Sequence, residues 1–357
     1  MSVKADILAA LKGLNPRRVP WNIHNGLLLQ GSLEREMRER GLGIIEKSVI
    51  PYQVVSSHVA VEERMVWEDG RRTLHLTYRT PIGELHSRRV IGPDGSIWVR
   101  EYPVKDPRDM LILTYICEDA EYYPNDEAVR VRQRSLGEDG LVLCRMMRSP
   151  LQRLLTEWMG TEGVAYGQAD YPQAMERLLA CLAATDEPAF RLAAASPAEA
   201  VWSAENITAD ITSPALFRRY CLPYYDRGAS ILHEGGKLYG IHMDGKLTAL
   251  KQAVAESTLD FIEGFTPPPM GDLSLSDARR AWQGKALWVN FPGSVLHGSG
   301  EAVLCFTEEL LREGMEGGGF LLTFAEDFPE AERSLRLVAE GIERYYLKKP
   351  LATNEHG

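Results

Sequence analysis

From residue 140 onward, short apolar runs alternate with longer helical stretches, and this alternation constrains the fold more than any other feature of the chain. The runs are Leu141–Met147, Ala200–Ile207, Lys237–Asp244, Thr258–Thr266, Ala286–Pro292 and Gly319–Glu326. The stretches between them carry helix start signals. Ser213 before Pro214 gives an N-cap and a proline at the first helical position. Ser274 with Asp277 resembles a capping box. Leu335, Val338, Ile342 and Tyr345 recur at spacings of three and four, one face of a last helix. Six strand–helix units in succession imply a parallel sheet with helices outside. The Val19–His24 run and one strand from the 45–60 region raise the count to eight. The predicted fold is therefore an α/β protein, a (β/α)8 TIM-type barrel. The alternative, an open doubly wound sheet, calls for a glycine-rich phosphate loop after the first strand, and no GxGxxG or GxxxxGK[ST] is present.

The first third is less regular. A helix opens the chain, and a charged helix is predicted from about Ser32 to Arg40. Residues 50–105 alternate apolar and polar side chains, as in Thr73-Leu74-His75-Leu76-Thr77-Tyr78. The turn signals Asp69-Gly70, Pro81-Ile82-Gly83 and Pro93-Asp94-Gly95 punctuate them. This predicts an antiparallel β meander inserted near the N-terminus. A segment that short folds alone only marginally, so residues 1–357 are read as a single barrel domain with the 50–105 meander packed on it near the mouth.

Charge removes several function classes. With 40 Lys+Arg against 50 Asp+Glu the net charge is −10, which argues against a general nucleic-acid binder or a polybasic membrane-surface protein. No run approaches the ~18 apolar residues of a membrane span. Met1–Leu14 carries Lys4, Asp6 and Lys12, and reads as an amphipathic helix rather than a signal peptide. The five cysteines are scattered with no CxxC, as expected for reduced, mostly buried thiols in the cytoplasm, with Cys305 in a helix core.

In such barrels chemistry sits at the C-terminal ends of the strands. Those ends are polar here: His24 and Asn25, Glu205 and Asn206, His242 and Asp244, Glu263 and Thr266, Asn290, and Glu326 with Asp327. A connector is polar too, so the signal is recurrence at the same place in successive units. His242 and Asp244, two apart on an extended segment, point the same way. They can approach one Zn²⁺ or other divalent ion with Glu326 as a third ligand, or His242 is simply oriented by Asp244. Glu205 is read as an acid/base or substrate-orienting carboxylate, with helix capping as the alternative. Trp21 and Trp288 are assigned to packing. Thr266-Pro267-Pro268-Pro269-Met270-Gly271-Asp272 forbids a helix and makes a stiff loop after Glu263, either a pocket wall or a plain connector.

At these residues the chain resembles the uroporphyrinogen decarboxylase superfamily. The likeness runs through Ser213-Pro214 to Leu222-Pro223-Tyr224-Tyr225, Gly240-Ile241-His242-Met243-Asp244-Gly245, Ile262-Glu263-Gly264-Phe265-Thr266-Pro267, Met270-Gly271-Asp272-Leu273 and Gly319-Phe320-Leu321-Leu322. It is strongest over residues 140–347. The resemblance implies a TIM-type barrel, in agreement with the reading above. True decarboxylases grip their polycarboxylate substrate with an Arg-Gln-Ala-Gly-Arg stretch. The matching Pro20-Trp21-Asn22-Ile23-His24-Asn25-Gly26 has no arginine. The chain looks closer to the cobamide-dependent methyltransferase branch, to which the Thr80-Pro81-Ile82-Gly83-Glu84-Leu85 turn is also similar.

That branch implies methyl transfer from a small methylated substrate to the cobalt of a corrinoid (cobalamin-type) cofactor on a partner protein, as in an O-demethylase. Its zinc is held by a His-x-Cys pair and a later Cys, which map to His242, Asp244 and Glu326. Both thiolates are thus carboxylates here, harder ligands that hold zinc less firmly. The expected roles are His242, Glu205 and Glu263 in catalysis; His24, Asn25 and Asn290 in substrate binding; and His242, Asp244 and Glu326 at a metal. Carboxylates outnumber cations in this set, which favours a neutral or weakly charged substrate. Two other classes remain open: a decarboxylase-like lyase working without metal, and a non-catalytic small-molecule-binding barrel.

Overall fold

A computed structural model describes residues 2–24, 27, 30–93, 95–325 and 330–348. Its strands, in chain order, are β1 (Trp21–Ile23), β2 (Leu42–Glu46), β3 (Tyr52–Ser56), β4 (Ala60–Glu68), β5 (Arg71–Thr80), β6 (Gly83–Ile91), β7 (Ile97–Glu101), β8 (Ala120–Pro124), β9 (Gly140–Met146), β10 (Ala200–Ile207), β11 (Leu238–Met243), β12 (Phe261–Phe265), β13 (Ala286–Asn290) and β14 (Phe320–Phe324). Eight of them close into a barrel in the order β1-β14-β13-β12-β11-β10-β9-β2, and every neighbouring pair is parallel. This is the expected (β/α)8 barrel. β12, β13 and β14 are buried at every position, which is why they read as unbroken apolar runs: helices cover one side and the barrel interior the other.

The helix starts are built as the sequence indicates. Ser213 Oγ accepts from the Leu216 N–H, and Ser274 Oγ from the Asp277 N–H. Leu335, Val338 and Ile342 face the core from the last helix, Ala331–Lys348.

The interior is layered. The first helix, Val3–Leu11, plugs the N-terminal end of the barrel. Its Ile7, Ala10 and Leu11 pack with residues from the starts of the strands, among them Leu141, Ala200, Phe261 and Ala286. Trp202 and Trp288 belong to the same cluster and cap it on the mouth side. Polar side chains begin above them.

Two expectations need correction. The barrel's second strand is Leu42–Glu46, which begins before the 45–60 region from which it is expected. Within that region Tyr52–Ser56 pairs antiparallel with Ala120–Pro124 instead. The meander proper is the four-stranded antiparallel sheet β4-β5-β6-β7, so it occupies less than 50–105. Leu76 and Leu85 are buried within it. The Tyr78 ring lies 5.2 Å from that of Trp158, in the π-helical turn Leu154–Trp158 that follows β9. The Val104 N–H donates to the Trp158 carbonyl at 2.9 Å. The sheet is thereby fastened to the C-terminal side of the barrel.

All five cysteines are free thiols; Cys144 and Cys221 are buried, but Cys305 is exposed on the helix Gly300–Gly314 rather than in a core. No described helix is long and apolar enough to cross a membrane.

Candidate active site

A cavity of about 460 Å³ opens among the strand C-termini, lined by His24, Lys47, Trp202, Ala204, Asn206, His242, Asp244, Gly245, Glu263, Gly264, Thr266, Met270, Asn290 and Ala325. Its centre is the Glu263 carboxylate, which is buried. Lys47 Nζ donates to Glu263 Oε1 at 2.5 Å. Glu263 Oε2 lies 2.5 Å from His242 Nδ1 and accepts from Trp202 Nε1 at 3.2 Å. His242 Nε2, on the far side of the ring, is 3.7 Å from Asp244 Oδ2. One carboxylate thus joins a lysine, an imidazole and an indole.

The backbone explains this convergence. Pairing between β12 and β13 slips between Glu263 and Phe265, and Gly264 at the slip has φ +80°. A Cβ there would lie 2.4 Å from His242 Cε1. Glycine therefore supplies both the left-handed turn and the space for the imidazole.

Charge follows geometry. Burial alone would push the Glu263 carboxyl upward, but Lys47 and His242 outweigh it and hold the group well below the ordinary carboxylate range. Burial likewise disfavours a charged His242 ring. Glu263, with Asp244 beyond it, reverses that and raises the ring to about 9, so it is an imidazolium at neutral pH. With Nδ1 turned to Glu263, the Nε2–H faces the Asp244 side of the cavity. His24 is pushed below its ordinary value by burial and then by the Lys47 charge. Asn290 Oδ1 accepts from the Ala325 N–H at 3.1 Å, and its Nδ2 lies 3.4 Å from Thr266 Oγ1.

Other expected residues fare differently. Glu205 does not line the cavity. Its carboxylate is buried on the opposite side of β10, accepting from the Ser149 N–H at 2.6 Å and the Ser149 hydroxyl at 2.8 Å. It is a loop-capping group, while its neighbours Ala204 and Asn206 face the site. Burial pushes its pKa up to about 7, against the Ser149 hydrogen bonds. The proline loop does wall the pocket, through Thr266 and Met270. Asp272 ties that loop down by accepting from the Leu247 and Thr248 N–H groups at 2.6 and 3.0 Å.

Asn25 and Glu326 lie outside the described residues. Of the expected metal set, the structure therefore places two donors, His242 and Asp244. Among the described residues no group of three or more His, Cys, Asp or Glu side chains is arranged to hold a metal ion. A metal centre is not assigned.

Lys47 and Trp202 are site residues that the sequence reading passes over. Trp288, read as packing, is buried, but it also donates through Nε1 to Asn22 Oδ1 at 3.0 Å and lies beneath the Lys47 ammonium. With Lys47 and the charged His242 set against Glu263 and Asp244, carboxylates do not outnumber cations in the described lining, contrary to the expectation from sequence.

A family model described as uroporphyrinogen decarboxylase (URO-D) matches residues 127–329, more than half of the chain. The chain belongs to the uroporphyrinogen decarboxylase family. The matched span of this family member runs from before β9 to beyond β14, and so contains His242, Glu263 and Asn290 but neither His24 nor Lys47. Among solved structures, a methyltransferase from Methanosarcina mazei superposes with a TM-score of 0.59 at 12% identity, covering 97% of this chain and 99% of that one. A B12-independent methionine synthase from Shewanella sp. W3-18-1, in complex with selenomethionine, gives 0.46 at 11% identity, covering 89% and 91%. At 12% identity the likeness to the Methanosarcina mazei protein is one of fold. No curated protein matches the chain.

Proposed function

We propose that this uroporphyrinogen decarboxylase family member is a methyltransferase that moves a methyl group from a small methylated substrate, such as an O-methyl compound, to the reduced corrinoid of a partner protein. The observation that carries the reading is the His242–Glu263–Lys47 assembly on the wall of a cavity sized for a small molecule. Its chemistry suits demethylation of an ether. A reduced corrinoid on the partner would supply the electron pair that takes up the methyl carbon. The C–O bond breaks with its pair on oxygen, and the departing oxygen takes the proton of His242 Nε2. Glu263 fixes the ring so that this proton is presented to the cavity, and Lys47 keeps Glu263 charged and in place. The neutral ring then recovers a proton from solvent through the open mouth. The fold likeness to the Methanosarcina mazei methyltransferase supports the same branch. The absence of arginine from Pro20–His24 speaks against a polycarboxylate substrate.

The test mixes the protein with candidate methyl donors and cob(I)alamin, free or protein-bound, and follows the cobalt spectrum. Formation of methyl-cobalt(III) is expected, and His242→Gln is expected to slow it about a hundredfold, the lower range for loss of a general acid. Turnover of uroporphyrinogen, with no cobalt methylation from any donor, would overturn the proposal in favour of a decarboxylase.

A further inference from the structure

Proteins hold methylated ammonium ions in cages of aromatic rings completed by an opposite charge, the cation lying within about 6 Å of the ring centroids. Trp202, Trp288 and Glu263 make such a cage at the floor of the cavity, and the chain fills it with its own cation. Lys47 Nζ stands 5.2 Å from the Trp202 centroid and 4.9 Å from that of Trp288. It is also 2.5 Å from Glu263 Oε1, with the lysine side chain 11% exposed. Its carboxylate partner is spoken for from two sides, because His242 takes the other oxygen.

We propose that Lys47 determines substrate charge: by occupying the two-tryptophan, one-carboxylate cage it excludes methylated amines and other cationic methyl donors and leaves the cavity to uncharged ones. A methylammonium entering from the mouth meets a resident ammonium where the favourable ring faces lie, and must compete with a tethered cation for the same carboxylate. An uncharged ether needs neither the ring faces nor the carboxylate, and can lie against the exposed part of Trp202 and against Met270. The substrate class rests on the methyl-transfer reading; the exclusion of cations by Lys47 does not.

Calorimetric titration with tetramethylammonium and methylammonium chlorides, against sodium chloride at equal ionic strength, tests this on three proteins. Wild type is expected to show no saturable binding. Lys47→Ala empties the cage, and is expected to bind methylammonium saturably, with a dissociation constant at least tenfold below the highest concentration at which wild type shows no binding. Lys47→Met removes the charge but fills the volume, and is expected to bind neither cation. Should Lys47→Ala be unstable, binding is read as a rise in its melting temperature with methylammonium beyond that with sodium. Saturable binding of either cation to wild type overturns the proposal. So does a Lys47→Ala protein that neither binds nor is stabilised by methylammonium, and so does equal binding by the Ala and Met variants. None of these readings uses cobalt, so failure of the methyl-transfer assay and failure of the cage are separately visible.

Discussion

At φ +80°, and with no space for a methyl group beside His242, Gly264 can be replaced only by disturbing the site. Gly264→Ala is expected to cost roughly 1–2 kcal/mol through its left-handed backbone. It is also expected to displace the imidazole, lowering the methylation rate at least tenfold in a protein that still folds. An undisplaced ring in the variant's crystal structure, at full rate, would contradict the role given to the glycine. Glu205 yields a different expectation. Its pKa rises on folding to about 7 through burial. The folded state therefore holds a proton that the unfolded chain releases near pH 4.5. The extra stability is complete below that pH and is lost as pH rises through 7, by roughly 3 kcal/mol in total. Denaturant titrations from pH 4.5 to 8 are expected to show this fall in wild type and to lack it in Glu205→Gln; parallel profiles would dismiss it. These two residues also mark what a sequence conveys. His242, Glu263 and Asn290 are legible because each ends an apolar run. Glu205 does so too, but whether it turns inward depends on alternation along a strand whose pairing slips between Ser203 and Ile207. That slip has no signature in residue type. Lys47 is hidden because the strand before it is five residues long and holds Gly43 and Glu46, so the longer apolar stretch that follows it draws the assignment.

Among the elements, the meander is the one whose dependence on the barrel can be measured. Its alternating side chains announce antiparallel strands, but not their partners, since pairing is a long-range choice. Hence β3 is legible as a strand and its union with β8 is not. The sheet covers Ile112 on the helix Pro107–Glu118, where a Cβ on Gly83 would lie 2.7 Å from Ile112 Cδ1. It also covers Trp158 through Tyr78. Replacing residues 59–102 with a short flexible linker returns both large side chains to water. At ~1.5–3 kcal/mol each, the loss is expected to be roughly 3–6 kcal/mol. Differential scanning calorimetry should show the melting temperature falling by several degrees; an unchanged value would make the sheet an independent appendage.

For the molecule as a whole, the eightfold strand count is readable because the second half repeats one unit, and the shorter first half fills in the remainder. Net charge says little about the site. A chain at −10 builds a cavity whose described charges balance, two against two, since composition averages over a surface while a site is assembled from a handful of strand ends. Closure of the ring is the least local event of all. β1 lies between β2 and β14, and Trp21 is opposite Leu322, about 300 residues later in the chain. On the ribosome, at about 5–20 residues per second, the first barrel strand waits roughly 15–60 s for its second neighbour. Throughout that interval Asn22 and Ile23 offer an unpaired edge, and the Val3–Leu11 plug has no complete ring to seat in. The nascent chain thus carries this open edge for most of its own synthesis, and the arrival of Phe320–Phe324 completes the ring from which the cavity opens.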